Sequence, residues 1–215
     1  MSLDTYSNLK AAVENWSHRQ DIGTHIDDFI LLCETSFYNG VLDPQTSNTV
    51  SLRVKDQEEL SVGACSTSDR FLALPTDYLE QRRLDLTVSA KRKPVTYQTP
   101  AQLDILTGTG IPSYFTVTDQ VEFDILPDDT YVTNMQYYKK LTALDSTNTT
   151  NSILTNFPNI YLYGCLWALF QWARNTEEES KNLILFVNAI KAANQTSKRG
   201  QYGPNPRSRV RGSTP

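Results

Sequence analysis

Thr49-Val50-Ser51-Leu52-Arg53-Val54 is where the chain changes its period. Val50, Leu52 and Val54 alternate with Ser51 and Arg53, which predicts a half-buried strand. Upstream the period is helical. Tyr6, Leu9, Val13 and Trp16 form one stripe at i, i+3, i+7 and i+10. Gly23 breaks that stripe. Thr24 then offers an N-cap, with Asp27 in the third position and Asp28 beside it, acids that suit the positive end of a helix. Ile26, Phe29, Ile30, Cys33 and Phe37 carry the apolar face on to a stop at Asn39-Gly40.

Downstream, further strands are expected at Arg70–Leu74, Arg83–Val88, Pro94–Gln98, Ser113–Thr118, Gln120–Ile125 and Thr130–Lys140. Thr118-Asp119-Gln120 reads as a tight hairpin turn. Thr99 as cap, Pro100 at the first position and Gly108 beyond the end predict one short helix within this region. Asp145 to Asn151 is a polar loop, followed by a helical turn near Ile153. Pro158 starts a helix that is apolar on nearly every side from Ile160 to Trp172, and so is expected to be buried. Gly164 in its middle costs about 1 kcal/mol against Ala, which implies a close packing partner there. Thr176 and Glu179 form a second capping box, and Leu183, Phe186, Val187 and Ile190 stripe the last helix. Gly200, Gly203, Pro204 and Pro206 end regular structure.

The expected fold is therefore α+β. Helices at 1–48 and 145–195 form a bundle, an antiparallel β-rich subdomain at 49–144 is inserted in it, and 196–215 is an extended basic tail. The chain is long enough to bury a core without staples. Residues 195–215 hold Lys198, Arg199, Arg207, Arg209 and Arg211 and no acid, so the body carries more than the whole net charge of −4. An acidic body with a basic tail points to a tail that docks on a partner.

Catalytic signatures are scarce. Cys33, Cys65 and Cys165 are far apart and form no CxxC pair, so they read as buried, reduced thiols. His18 and His25 sit near a helix-to-helix turn, with no metal-ligand spacing. Gly108-Thr109-Gly110 lacks the Lys-Ser/Thr of a phosphate loop and reads as a linker. Asp27/Asp28 and Glu177–Glu179 belong to helix starts, and Asp128-Asp129 to a turn. Lys91-Arg92-Lys93 reads as a solvated turn between strands, or else a contact for an acidic neighbour or DNA. No catalytic, cofactor or metal site emerges. Met1 to Lys10 has no apolar core of a secretory signal, and no stretch is long and apolar enough to span a membrane.

A series of short motifs adds to this. Leu74-Pro75-Thr76-Asp77-Tyr78-Leu79 leads into Arg82-Arg83-Leu84. Tyr97, Thr99-Pro100 and Leu103 follow, then Pro-Ser-Tyr-Phe-Thr-Val-Thr-Asp-Gln-Val-Glu-Phe-Asp-Ile from Pro112 to Ile125. Tyr137-Tyr138-Lys139-Lys140-Leu141 precedes Thr147-Asn148 and Asn151, and Phe157-Pro158-Asn159-Ile160-Tyr161-Leu162-Tyr163-Gly164-Cys165-Leu166 opens the apolar helix. From Leu74 to Arg199 this order resembles the head-to-tail adaptor, or connector, proteins of tailed bacteriophages, with Cys165 in place of the usual Ala.

The resemblance implies a structural virion protein and not an enzyme. It implies a homo-oligomeric ring, commonly of twelve copies, under the portal protein of the filled head. Tail or nozzle proteins would take the other face, and DNA would pass through the channel without sequence-specific binding. It also implies that the C-terminal segment, with Lys198, Arg199, Tyr202, Arg207, Arg209 and Arg211, reaches the portal. Eleven tyrosines and three tryptophans suit amphipathic interface anchors. Two rival readings stand beside it: a virion-associated cell-wall hydrolase, and a nucleic-acid-binding module using the basic tail.

Overall fold

The computed structural model describes residues 3–202. Within them the protein is mixed α+β, with five helices, one large curled sheet and two small pairs of strands. The chain divides into two compact units. One gathers the chain up to Asp56 and from Thr142 onward; the other is Gln57–Leu141.

The first unit opens with α1 (Tyr6–Ser17) and α2 (Ile26–Asn39). The Thr5 hydroxyl caps α1 by accepting from the Asn8 N–H at 3.3 Å. Leu9 and Val13 are fully buried, as their stripe requires, but Trp16 at its end is 57% exposed. α2 starts later than its cap signal. His25, not Thr24, holds the N-cap position, and no side chain caps it. Asp27 is drawn elsewhere: its carboxylate accepts from Tyr6 Oη at 2.5 Å and Lys10 Nζ at 2.8 Å, tying the first turn of α2 to α1. Gly40 closes α2 at a φ of 104°, a left-handed value that favours glycine, and its N–H donates to Ser36 O.

β1 (Val41–Leu42) and β2 (Thr49–Val50) then pair antiparallel. The alternation beyond Val50 holds for burial, since Leu52 and Val54 are buried, but residues 51–54 join no strand. Their partners are helical. Leu52 N–H donates to Phe37 O at 2.8 Å. Asn194 donates from Nδ2 to Ser51 O and accepts at Oδ1 from Arg53 N–H, both at 2.8 Å. Ser197 Oγ accepts from Lys55 N–H at 2.7 Å. Backbone groups that a sheet would satisfy are here satisfied by helix side chains. Residues 49–56 thus lie with the helices, and the β-rich unit starts at Gln57.

After the polar loop come α3 (Ser152–Asn156), α4 (Pro158–Trp172) and α5 (Thr176–Tyr202). α4 is the most buried helix, with Ile160, Tyr161, Cys165 and Leu169 fully enclosed. Gly164 is where it meets its neighbours. A Cβ there would run into the Cys33 sulfur of α2 and lie 2.9 Å from the Phe186 ring of α5. Trp167, within the run expected to be buried, is only half-buried; it stacks on Phe186 with ring centres 5.9 Å apart. α5 is capped one residue earlier than its capping box implied: Asn175 Oδ1 accepts from Glu178 N–H at 3.3 Å. The helix also runs on past the expected end at 195, through Lys198 and Arg199 to Tyr202. Residues 192–199 hold no proline or glycine, Asn194 and Ser197 are bonded to the segment 51–55, and one glycine at 200 costs only about 1 kcal/mol. The expected extended tail therefore begins no earlier than 203, outside the described residues.

The second unit holds β3 (Glu58–Ala64), β4 (Phe71–Ala73), β5 (Tyr78–Val88), β6 (Lys91–Tyr97), β7 (Thr109–Gly110), β8 (Tyr114–Val117), β9 (Gln120–Phe123), β10 (Leu126–Pro127) and β11 (Val132–Lys139). Seven of them form one sheet in the order β3-β11-β5-β6-β8-β9-β4. Leu84, Leu86, Val95, Phe115, Phe123 and Met135 fill its inner face. The sheet is not wholly antiparallel as expected. β6 and β8 are parallel, because the long connection 98–113 crosses back before β8 begins. That connection contains no helix. Gln102 and Leu103 N–H both return to Thr99 O, closing a single turn. The glycines of Gly108-Thr109-Gly110 flank no linker; Thr109 and Gly110 form β7, paired with β10.

Lys91-Arg92-Lys93 is likewise not a turn. It is the first half of β6, opposite Val88, Thr87 and Leu86 of β5. The turn is the preceding Ser89-Ala90, both at positive φ, 49° and 63°. Two left-handed residues give the hairpin twist that matches its strands, here without the usual glycine.

Candidate interaction surfaces

The residues expected to carry function converge only in part. Lys198 and Arg199 are exposed on the last turns of α5, and Tyr202 is the last described position of that helix. Arg207, Arg209 and Arg211 lie outside the described residues. A shallow depression beside Lys198 is lined by Thr196 and Ser197 of α5 together with Val54, Lys55 and Asp56. The extended segment held by Asn194 and Ser197 forms its wall, so the fold presents the base of the basic segment on a fixed surface.

The buried titratable groups are structural. Glu34 of α2 is 5% exposed. It accepts from Tyr161 Oη at 2.8 Å and from Leu144 N–H at 3.0 Å. Asn151 donates to the same Tyr161 oxygen at 2.7 Å and caps α3 with its own Oδ1. Burial pushes the Glu34 carboxyl above its usual range, and burial with the nearby Glu34 charge pushes Tyr161 far up. A raised carboxyl is what a hydrolase needs. This one is buried and held by a tyrosine and a backbone amide.

Asp43, in the loop between β1 and β2, behaves in the opposite way. Lys191 of α5 donates to it at 2.6 Å, Thr46 Oγ1 and Gln45 N–H also donate, and its pKa is lowered to about 2. Cys33, Cys65 and Cys165 are free and buried, and burial raises the first two thiols. Among the described residues no group of three or more His, Cys, Asp or Glu could hold a metal ion, and no helix is long and apolar enough to cross a membrane.

What the surface does offer is aromatic and apolar area. Trp172 at the end of α4 is 45% exposed and stacks with His25 at 5.1 Å, with the Arg19 guanidinium 5.3 Å from its ring centre. Trp16 meets Tyr163 edge-on at 6.4 Å. Leu31 and Leu32 are exposed on α2. In the β-rich unit Leu60, Val62, Phe71 and Val132 are exposed on strands, and Ile105 and Leu106 in the long connection. Exposed Trp and Arg together are the residue types that anchor protein interfaces. The sequence signal for these patches was the aromatic count; the exposure of the β3 leucine and valine carried none, because that strand was not foreseen.

A search of curated proteins finds no match. A family model does match, described as SU10 adaptor protein, over residues 4–210. The match takes in both units, the whole of α5 and two of the tail arginines. Exposed apolar patches suit a protein that binds neighbours, and the chain belongs to the SU10 adaptor protein family, a structural adaptor of bacteriophages.

Proposed function

We propose that this adaptor joins head to tail. Its helices form a bundle that carries the β-rich part as an insertion. Copies assemble, commonly as twelve, into a ring below the portal protein, and tail or nozzle proteins bind the opposite face. DNA passes through the central channel without sequence-specific contact, and the ring is built into the virion in the host cytoplasm. The observation that carries this reading is the family match running from residue 4 to residue 210, through Lys198, Arg199, Tyr202, Arg207 and Arg209. It covers the body and the basic segment as one unit.

In this reading the segment after α5 is the portal-binding element. Arg suits bidentate contacts with acidic partner groups. Lys198 and Arg199, exposed on a helix, set where that segment leaves the body. The test uses full-length protein and a truncation lacking residues 203–215, each mixed with purified portal and imaged by electron microscopy. Full-length protein should add a ring to the portal, and the truncation should fold and fail to attach. Equal attachment of both overturns the portal role of the segment. Salt-sensitive binding of the segment to duplex DNA, with no portal binding, would instead favour the nucleic-acid module.

A further inference from the structure

The long connection between β6 and β8 is pinned in place, yet apolar on its outside. Leu106 N–H donates to Asp124 O at 2.8 Å, and Asp128 N–H donates to Gly110 O at 3.3 Å. Between these bonds β7 pairs with β10, and a Cβ on Gly110 would lie 3.3 Å from Ile125 Cδ1. Residues 105–111 therefore lie along 124–128 as a fixed surface. Ile105 is 47% exposed, Leu106 49% and Ile111 38%, with Ile125 and Leu126 half-buried beside them. Holding aliphatic side chains half in water gains the isolated chain little, and such patches mark interaction surfaces.

The rim of this patch is acidic. Asp104 precedes Ile105, and Asp128 and Asp129 follow β10; all three are exposed. From 98 to 131 the chain holds six acids and no Lys, Arg or His. The cations of the β-rich unit are engaged elsewhere: Arg82 with Glu58, Arg83 with Asp85 and Lys139 with Glu59. Lys93 donates to Ser113 Oγ at 3.3 Å. An aliphatic floor with carboxylates at its rim fits the arginine side chain, whose stem lies on apolar surface while its guanidinium pairs with acid.

The complement stands at the other end of the chain. Beyond Glu179 the sequence has no acid, and Arg207-Ser208-Arg209-Val210-Arg211 sets three arginines at alternate positions. In an extended strand alternate side chains share a face, so three guanidinium groups can meet one surface together. Thirteen residues follow Tyr202, enough to span about 43 Å when extended.

We propose that the surface formed by Ile105, Leu106 and Ile111 with Asp104, Asp128 and Asp129 is a docking site for the C-terminal segment 203–215. The stems of Arg207, Arg209 and Arg211 cover the aliphatic floor, and their guanidinium groups pair with the rim carboxylates. The proposal rests on the reading of 203–215 as a docking segment and gives it a berth on the protein itself. Portal attachment then exchanges one set of acidic partners for another.

The test compares two full-length chains by hydrogen exchange with no portal present: wild type, and Arg207→Ser with Arg209→Ser and Arg211→Ser. Amides of 105–111 and 125–130 should exchange about threefold or more faster in the variant. A synthetic peptide of residues 203–215 should bind the variant saturably and restore the protection. Unchanged exchange, protection that changes only in other residues, or a peptide that does not bind overturns the proposal. A scrambled peptide of the same composition is the control, and equal binding of it shows attraction of net charge only and overturns a defined site. Asp128→Asn with Asp129→Asn, added to the arginine variant, should weaken the peptide about tenfold or more. Asparagine keeps the acceptors for Tyr131 Oη and Thr130 N–H, so the turn stays bonded; undiminished binding overturns the role of the rim. No arm contains portal. Failure here leaves the portal role of the segment standing, whereas equal portal attachment by the truncation removes that role and leaves this surface in place.

Discussion

The two units spend their apolar residues differently. In the helix-rich unit α4 is enclosed, and Tyr161, Cys165 and Leu169 are fully buried. Its buried carboxyl is also matched, because Glu34, Tyr161 and Asn151 satisfy one another. In the β-rich unit a core of nine buried residues sits inside the curled sheet, while Leu60, Val62, Phe71 and Val132 stay outside it. The helix-rich unit also exposes Trp16, Leu31, Leu32 and Trp172, but on helices around an enclosed core, whereas the β-rich unit carries much of its exposed apolar area on strands; exposed apolar patches of either kind mark interaction surfaces.

Substitutions can break or sharpen that contrast. The largest effect is expected from Tyr161→Ala. It empties a fully enclosed ring site and removes a donor from buried Glu34, and should cost about 3–5 kcal/mol in a urea melt. A loss under 1 kcal/mol would mean that α4 is not the centre of its unit. Gly164→Ala comes next. The added methyl meets Cys33 and Phe186, and overpacking of this kind costs about 1–3 kcal/mol. A neutral result would show that α2 and α5 have room to move apart.

Glu34→Gln tests the buried carboxyl through pH. Burial raises the Glu34 pKa in the folded state, so its favourable contribution is complete below the unfolded value of about 4.3 and is lost as pH climbs through the folded value. Glutamine can accept the same two hydrogen bonds without charge. The variant should melt higher than wild type at pH 7, and the gap should close near pH 4. A gap that does not change with pH would place the effect outside the carboxyl's ionisation. The smallest change is expected on the other side of the contrast. Leu60→Lys replaces an exposed leucine and should move the unfolding free energy of the monomer by no more than about 0.5 kcal/mol. A large loss would make β3 part of the core and not an exposed strand.

The helices were legible in the sequence because their burial is local and periodic. Leu9 and Val13 of the first stripe, and Ile160, Tyr161, Cys165 and Leu169 of the apolar run, packed as read, while Trp16 and Trp172 at the ends of the two are exposed. Caps shifted by one residue at Thr24 and Thr176 because a neighbouring residue of equal aptitude, or a competing contact such as Lys10 on Asp27, took the position. Sheet partners were less legible. The hairpin from Tyr114 to Phe123 is set by a short turn and was found, whereas β3 depends on β11, some seventy residues away, and its outward apolar residues mimic a polar loop in reverse. Thr99 and Pro100 had the residues of a helix start, but residues 101–107 bring no buried face to sustain one. The basic segment stood out in the sequence by its charge, but the last helix was ended too early at 195: nothing after Ile190 breaks it before residue 200, and Lys198 and Arg199 ride on it.

The side chain of Asn194 stands in for a peptide unit of a neighbouring strand, with Ser197 one turn further on repeating the service for Lys55. Hydrogen bonds of this kind count residues. Deleting one residue between Ser51 and Lys55 would pull the Arg53 and Lys55 amides off their acceptors on α5. Natural length variation in this lineage should therefore be absent from the five residues that follow β2.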